Sequence, residues 1–231
     1  MSGRWPALLP AGGEQWPEND EHPLVLVVSV VCDGRVSPVF VAHPEHAGGR
    51  DPFRGYVVEA SDPLLRRPDV SGLVRAMHGG TVPGRGITAS VLRLKGGELQ
   101  GVRIARVREG ALVLRAGELA TGTDLDRARA VLAGGGVPDL APRRRCAAGA
   151  RLLYPARDIA PDSVEFDVPA LPAGVWGTEI LARPGEPARP PAGSGAGDPL
   201  ALGLAVGEDA AACRRALDPL PGALRVRARR S

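Results

Sequence analysis

Lysine is almost absent from this chain. Of 29 basic residues only Lys95 is a lysine, and the other 28 are arginine. Aromatic residues are scarce as well, at 3% of 231 residues. A nucleic-acid surface needs a clustered basic face and usually aromatic side chains on which bases stack. Arginine clusters exist at Arg143-Arg144-Arg145 and at Arg225, Arg227, Arg229 and Arg230, but 26 acidic residues hold the net charge to +3. Nucleic acid is therefore not the expected partner. The arginine, together with 31 Gly, 23 Pro and abundant Ala, reads as the codon bias of a GC-rich genome.

Cysteine is also sparse. Cys32, Cys146 and Cys213 are scattered, none forms a Cys-x-x-Cys pair, and reduced thiols are expected. Four histidines are too few and too dispersed to mark a zinc site. No apolar run reaches the roughly 18 residues of a membrane span. The opening Met1-Ser2-Gly3-Arg4-Trp5-Pro6 lacks the apolar core of a signal peptide, so the expected address is the cytoplasm. No Gly-x-x-x-x-Gly-Lys phosphate loop and no Gly-x-Ser-x-Gly nucleophile elbow occurs.

What the chain does have is a series of strand and turn signals. Residues 1–23, rich in Pro, Gly and acid, read as an irregular arm. Leu24 to Val31 is a continuous apolar, β-branched run, and Val36 to Ala42 returns after Asp33-Gly34, a dipeptide that supplies the two positive φ angles of a tight hairpin. Residues 43–55 read as a polar loop and Gly55 to Ala60 as a third strand. Asp69 is placed to cap a helix carrying Val70, Leu73, Val74 and Met77 on one face. Ile87 to Leu94 and Leu99 to Val107, joined at Lys95-Gly96-Gly97-Glu98, form a second hairpin. Leu112-Val113-Leu114 is an apolar segment of undetermined type. Thr123 or Asp124 caps a helix running to about Leu132, stopped by Gly134-Gly135-Gly136.

The last third reads as β-rich. Strands are expected at Ala150 to Tyr154, Ser163 to Val168 and Gly174 to Ala182, followed by an exposed Pro/Gly/Ser stretch from Pro184 to Pro199. A strand at Leu200 to Val206, a helix from Asp209 to Leu217 and a strand at Leu224 to Ala228 close the chain. The fold class is α+β, an antiparallel sheet with flanking helices. The expected division is an arm (1–23), a lobe (24–145) and a small β-rich C-terminal subdomain (146–231).

Two segments invite a chemical reading and also a plain one. Gly79 to Gly86, with Arg85, offers backbone N–H groups and a charge as a phosphate cradle, or serves as a flexible connection after a helix. His43-Pro44-Glu45-His46 places His and Glu together as metal ligands stand, or is simply a polar loop.

The order of elements resembles the C-terminal half of the ATP-grasp carboxylate–amine ligases. The residues that carry this are the Asp33-Gly34 hairpin, the helix before the second hairpin, the strand 99–107, Gly122-Thr123-Asp124-Leu125 at a helix start, and Arg183-Pro184-Gly185 ahead of the closing strand–helix–strand. The resemblance spans about residues 24–228 and implies an ATP-grasp C-terminal lobe. It also implies ATP as cofactor and an acyl-phosphate route. In that family a glutamate on one strand and a Glu-x-Asn-x-Arg motif on the next hold magnesium. Here Ser90 stands about where the first glutamate belongs, Ile104 and Arg106 take the glutamate and asparagine positions, and Arg108 keeps the arginine. Magnesium needs hard oxygen ligands, so it is not expected here. Arg106 and Arg108 are the candidate catalytic cations, set against phosphate directly, and Ser90 and Arg85 the candidate nucleotide contacts.

Three readings follow. The chain is a subunit or fragment of an ATP-dependent ligase working with a complementary chain. Or it is a degenerate relative used as a binding or assembly module, with a protein partner or a second copy covering its exposed face. Or it is an enzyme of altered chemistry built on Glu59, Asp62 and His78.

Overall fold

A computed structural model describes residues 23–46, 53–79, 84–108, 111–191 and 197–228. Among these described residues ten strands and five α-helices follow in chain order: β1 (Leu24–Cys32), β2 (Arg35–His46), β3 (Phe53–Glu59), α1 (Pro68–His78), β4 (Arg85–Lys95), β5 (Glu98–Arg106), α2 (Leu112–Thr121), α3 (Leu125–Ala133), β6 (Ala147–Leu153), β7 (Pro161–Phe166), β8 (Val175–Ile180), β9 (Ala201–Gly207), α4 (Ala210–Leu217), α5 (Leu220–Ala223) and β10 (Leu224–Ala228). Eight strands form one antiparallel sheet in the order β5-β4-β1-β2-β3-β6-β9-β8, and β10 pairs with β7 in a small second sheet. The α+β class with an antiparallel sheet and flanking helices is therefore the observed architecture.

Both hairpins turn where expected, each on two residues of positive φ. Asp33 and Gly34 sit at φ 49° and 79°, Gly96 and Gly97 at 59° and 88°. β1 is the central ribbon. Its Val25 and Val27 point to one face and its Leu26, Val28 and Val30 to the other, so all five are buried and the run shows no polar alternation.

The main core lies on the face covered by α2 and α3, where Leu26, Val28, Phe40, Tyr56, Val91, Leu112, Leu125 and Leu204 meet. On the other face α1 covers Val25, Val27, Val41 and Leu92, while α4 and α5 cover Ala147, Leu153, Ala201 and Ala205. The sheet runs across residue 145, where the sequence set a subdomain boundary, through the β3–β6 ladder.

One open segment is resolved and three local expectations are corrected. The segment at Leu112 is a full helix, α2, buried at eight of its ten positions and hence without a polar stripe to reveal its period. Helix α1 starts at Pro68 with Arg67 as its cap residue, so Asp69 is not the cap. Pro at the first helical position has its φ preset and no N–H to satisfy, and Asp69 instead takes the Arg67 guanidinium at 2.5 and 3.1 Å. The polar loop expected at 43–55 is strand through His46 and again from Phe53, because His43 and Glu45 find buried or half-buried partners in Asp62 and Arg151. Strand β6 begins three residues earlier than the apolar pattern indicated, on the small, fully buried Ala147-Ala148-Gly149. The N-terminal arm and residues 80–83 of the glycine stretch lie outside the described residues.

Candidate functional site

The β4–β5 hairpin brings most of the residues singled out from sequence onto one ladder. Ser90 faces Ile104 directly, Val91 faces Arg103, and Thr88 faces Arg106, while the Val107 N–H donates to the Ile87 carbonyl at 3.0 Å. Alternation then sorts them by face. Thr88, Ser90, Ile104 and Arg106 point toward α1. There Nε2 of His78 lies 3.0 Å from the Thr88 hydroxyl, and Nδ1 of His78 lies 2.6 Å from the Val74 carbonyl oxygen. Ser90 is fully buried in this layer and its hydroxyl has no hydrogen-bond partner among the described residues. Val91 and Arg103 point the other way, toward the main core.

Arg106 ends β5 and is exposed, as is Arg108 two residues on. Arg85 opens β4 three residues before Thr88, about 10 Å along the strand. These three arginines therefore share the open end of the hairpin, whereas Ser90 lies further in and below the surface. Arg85 is already engaged. Its Nε and Nη2 meet Oδ1 and Oδ2 of Asp33 at 2.9 and 2.5 Å, and Nη1 donates to the Gly136 carbonyl at 3.0 Å. It ties the β1–β2 turn and the end of α3 to the start of β4. Arg129 does the same for β5, its Nη2 donating to the Val107 carbonyl at 3.1 Å. Arg106 and Arg108 make no side-chain hydrogen bond or ion pair among the described residues.

Sequence reasoning missed Arg103. It stands opposite Val91 on the core-facing side, partly buried, and approaches the buried Tyr56 closely enough to oppose the rise that burial imposes on that phenol's pKa. The signal was available in the two-residue period of β5, which sets Arg103 and Arg106 on opposite faces.

The remaining candidates are dispersed. His43 Nε2 lies 2.5 Å from Asp62, whose other oxygen accepts the Leu64 N–H at 2.8 Å and caps a 3-10 turn. Glu59 accepts the Ala210 N–H at the start of α4, at 2.6 Å. His78 is held by Val74 and Thr88. Glu59, Asp62 and His78 thus serve three separate local structures. Among the described residues no group of three or more His, Cys, Asp and Glu is placed to hold a metal ion, and no helix is long and apolar enough to cross a membrane.

The donor set of the hairpin does not fit magnesium. Neither Arg85–Lys95 nor Leu99–Arg108 contains an Asp or Glu, and the paired positions offer valine, isoleucine, a buried hydroxyl and a guanidinium. A fixed guanidinium there favours anions and repels a dication.

No family model and no curated protein matches the sequence. Solved structures do match in fold. L-amino acid ligase from Bacillus licheniformis superposes with a TM-score of 0.70 at 14% identity, over 90% of this chain and 54% of that one. Phosphoribosylglycinamide synthetase from Anaerococcus prevotii gives 0.70 at 15% identity, over 90% and 53%. The biotin carboxylase domain of a single-chain bacterial carboxylase gives 0.61 at 16%, over 90% and 49%. The chain spans about half the length of these structures. Its fold is the ATP-grasp fold.

Proposed function

We propose that the chain is an ATP-grasp-like lobe whose metal-assisted phosphoryl chemistry has been lost and which works as a binding or assembly module in a complex with another protein or a second copy of itself. The observation that carries this is the β4–β5 ladder. Its facing pairs are Ser90–Ile104 and Val91–Arg103, and no carboxylate lies on either strand outside the turn at Glu98. Magnesium bridging two phosphates needs several oxygen ligands at about 2.0–2.1 Å. Valine and isoleucine supply none, and Arg103 adds repulsion. Calorimetric titration of ATP into the chain, with and without magnesium, tests it. The expected result is no magnesium-dependent heat. Saturable micromolar binding that requires magnesium overturns it.

A second reading draws on the exposed arginines. Arg106 and Arg108, at the hairpin's open end and without partners among the described residues, are placed to meet phosphate oxygens as fixed charges. Arg85 and Ser90 are the further nucleotide contacts of this reading. The chain is then a subunit of a carboxylate–amine ligase working through an acyl phosphate, with a separate chain supplying the rest of the clamp. ADP formation by such a mixture, lost on Arg106→Ala with Arg108→Ala, supports it. No ADP from any pairing of acid and amine removes it.

A further inference from the structure

Strand β10 stands apart from the main sheet. It pairs with β7 alone, so its other edge meets no strand among the described residues. An edge strand turns the N–H and C=O of every second residue outward, where another strand can take them. The side chains of β10 alternate. Leu224 and Val226 share one face, and Arg225 and Arg227 the other. From Pro219 to Ser231 the sequence carries four arginines and no acid.

The neighbouring strand shows what the arginine face accepts. Glu165 stands directly opposite Arg225, and Ser163 opposite Arg227. Each guanidinium reaches one step along the face to the next acid. Arg225 Nη2 lies 2.9 Å from Asp167, just past β7, and Arg227 Nη2 lies 3.9 Å from Glu165. Acids at alternate positions 165 and 167 thus answer arginines at alternate positions 225 and 227. These pairs leave the arginines open on their other side, where the Arg225 and Arg227 side chains are 58% and 79% exposed. A guanidinium carries more N–H donors than one carboxylate oxygen uses. On the opposite face Leu224 packs toward the core under α4 and α5, while Val226, paired with Val164, is 38% exposed.

Two occupants fit this edge badly. A second β10, paired edge to edge with its faces matched, sets arginine against arginine, and like charges opposed across a ladder repel. Nucleic acid offers phosphates but no strand, and on the arginine face it meets the carboxylates of Glu165 and Asp167. We propose that β10 docks an extended acidic peptide of a partner protein, which adds a strand to the small sheet on the side away from β7. Acidic residues at alternate positions of the peptide meet Arg225 and Arg227. Its main chain completes the ladder, and an apolar side chain between two acids lies against Val226. As a partner site, the edge rests on the assembly role proposed above and adds the partner's chemistry to it. It uses no residue of the β4–β5 hairpin, so loss of peptide binding and magnesium-dependent nucleotide binding are separate outcomes.

The test follows the fluorescence anisotropy of labelled acetyl-Thr-Glu-Val-Glu-Val-Glu-Thr-amide as the full chain is added. Saturable binding that weakens as salt rises is expected. The same peptide with lysine in place of each glutamate should not bind. N-methylation of its three central residues removes backbone donors and keeps the charge, and should lower affinity about tenfold. Arg225→Ala combined with Arg227→Ala changes exposed side chains, and should lower affinity about tenfold with little change in melting temperature. Absence of saturable binding, equal binding of the N-methylated peptide, or unchanged affinity in the double variant overturns the proposal. An equally tight complex with single-stranded oligothymidylate also overturns it, since the edge is then a general anion patch. So does a dimer of the free chain that the double variant abolishes, which seats a second copy there instead.

Discussion

Glu45 on β2 and Arg151 on β6 meet across Gly55 of β3, Oε2 to Nη2 at 3.0 Å, so that one ion pair spans three strands. The three residues form a single row of the sheet, and only a residue without a side chain leaves the middle of that row open. Helix α4 completes the group, with Arg214 Nε on the other Glu45 oxygen and Asp218 on Arg151, each at 2.5 Å. The Glu45 and Arg151 side chains are 10% and 11% exposed, whereas Asp218 is 66% exposed. Burial decides their worth. Glu45→Ala leaves a buried guanidinium short of its charge and should cost about 3 kcal/mol. Asp218→Ala removes an exposed partner and should cost less than about 1 kcal/mol. Urea unfolding of the two variants checks the ranking, and equal losses would show that the network is governed by packing rather than charge.

Helix α2 rests on β2 at its glycine. A methyl group on Gly117 would overlap the Phe40 ring, and Phe40 is fully buried. Two effects oppose each other in Gly117→Ala. Helix propensity favours alanine by about 1 kcal/mol, and overpacking a filled core costs about 1–3 kcal/mol. The steric term should win, giving a net loss of stability that Phe40→Leu in the same chain largely restores. A more stable Gly117→Ala variant would mean that α2 stands off the sheet.

This helix also shows where the sequence stopped being informative. The hairpins were legible because Asp33-Gly34 and Gly96-Gly97 demand backbone angles that few residues adopt. The starts of α3 and α4 were legible because Asp124 and Asp209 accept N–H bonds that apolar residues cannot. Helix α2 has neither device. Its cap residue is Ala111, which makes no side-chain bond, and eight of its ten residues are buried, with only Arg115 and Glu118 to mark a polar side, so period and punctuation are both faint. The β4–β5 hairpin was legible as an element, from its Gly96-Gly97 turn. Ser90 and Ile104 do face each other, but their common face is covered by α1, and facing direction follows from packing that one strand alone does not encode.

Glu118 provides a pH handle. Burial raises its carboxyl pKa above the ordinary value of 4.5, although the bond from the Leu125 N–H partly opposes the rise. A carboxyl raised in the folded state is better accommodated protonated, so this residue's contribution is fully present below about pH 4.5 and falls as pH climbs through the raised value. Glu118→Gln retains an acceptor for Leu125 and cannot ionise. The variant should therefore gain on the parent in melting temperature as pH increases from about 4 to about 7. A constant difference across that range would show that the carboxylate is solvated in the fold.

Asp33 and Arg85 separate the two roles available to the arginine that opens β4. The pair is exposed on its carboxylate side, where Asp33 is 65% accessible, so its loss should cost less than about 1 kcal/mol. Asparagine also tolerates the left-handed conformation that Asp33 adopts at φ 49°, so Asp33→Asn keeps the turn while releasing the guanidinium. If Arg85 serves phosphate, triphosphate binding should tighten in Asp33→Asn, because a competing carboxylate has gone. If Arg85 only fastens the turn to Gly136, binding should not change while amide exchange at residues 33–35 speeds up. The structural arrangement, with all three donating groups of Arg85 already occupied, favours the second outcome.

Cys213 should be the least reactive of the three thiols, and its labelling should report on α4. It lies on the inner face of α4, fully buried against the sheet, and burial pushes its pKa up to about 11, with Cys146, Asp209, Glu45 and Glu59 adding in the same direction. The thiolate is the nucleophile, so at pH 8 the folded protein presents it both rarely and behind α4. Alkylation should modify Cys32 and Cys146, which are partly exposed, well before Cys213. Glu59→Gln weakens the acceptor at the Ala210 N–H that anchors the start of α4. It should accelerate Cys213 labelling severalfold while leaving Cys32 unchanged. Equal acceleration at both cysteines would mean that the whole sheet, rather than this helix, opens as one unit.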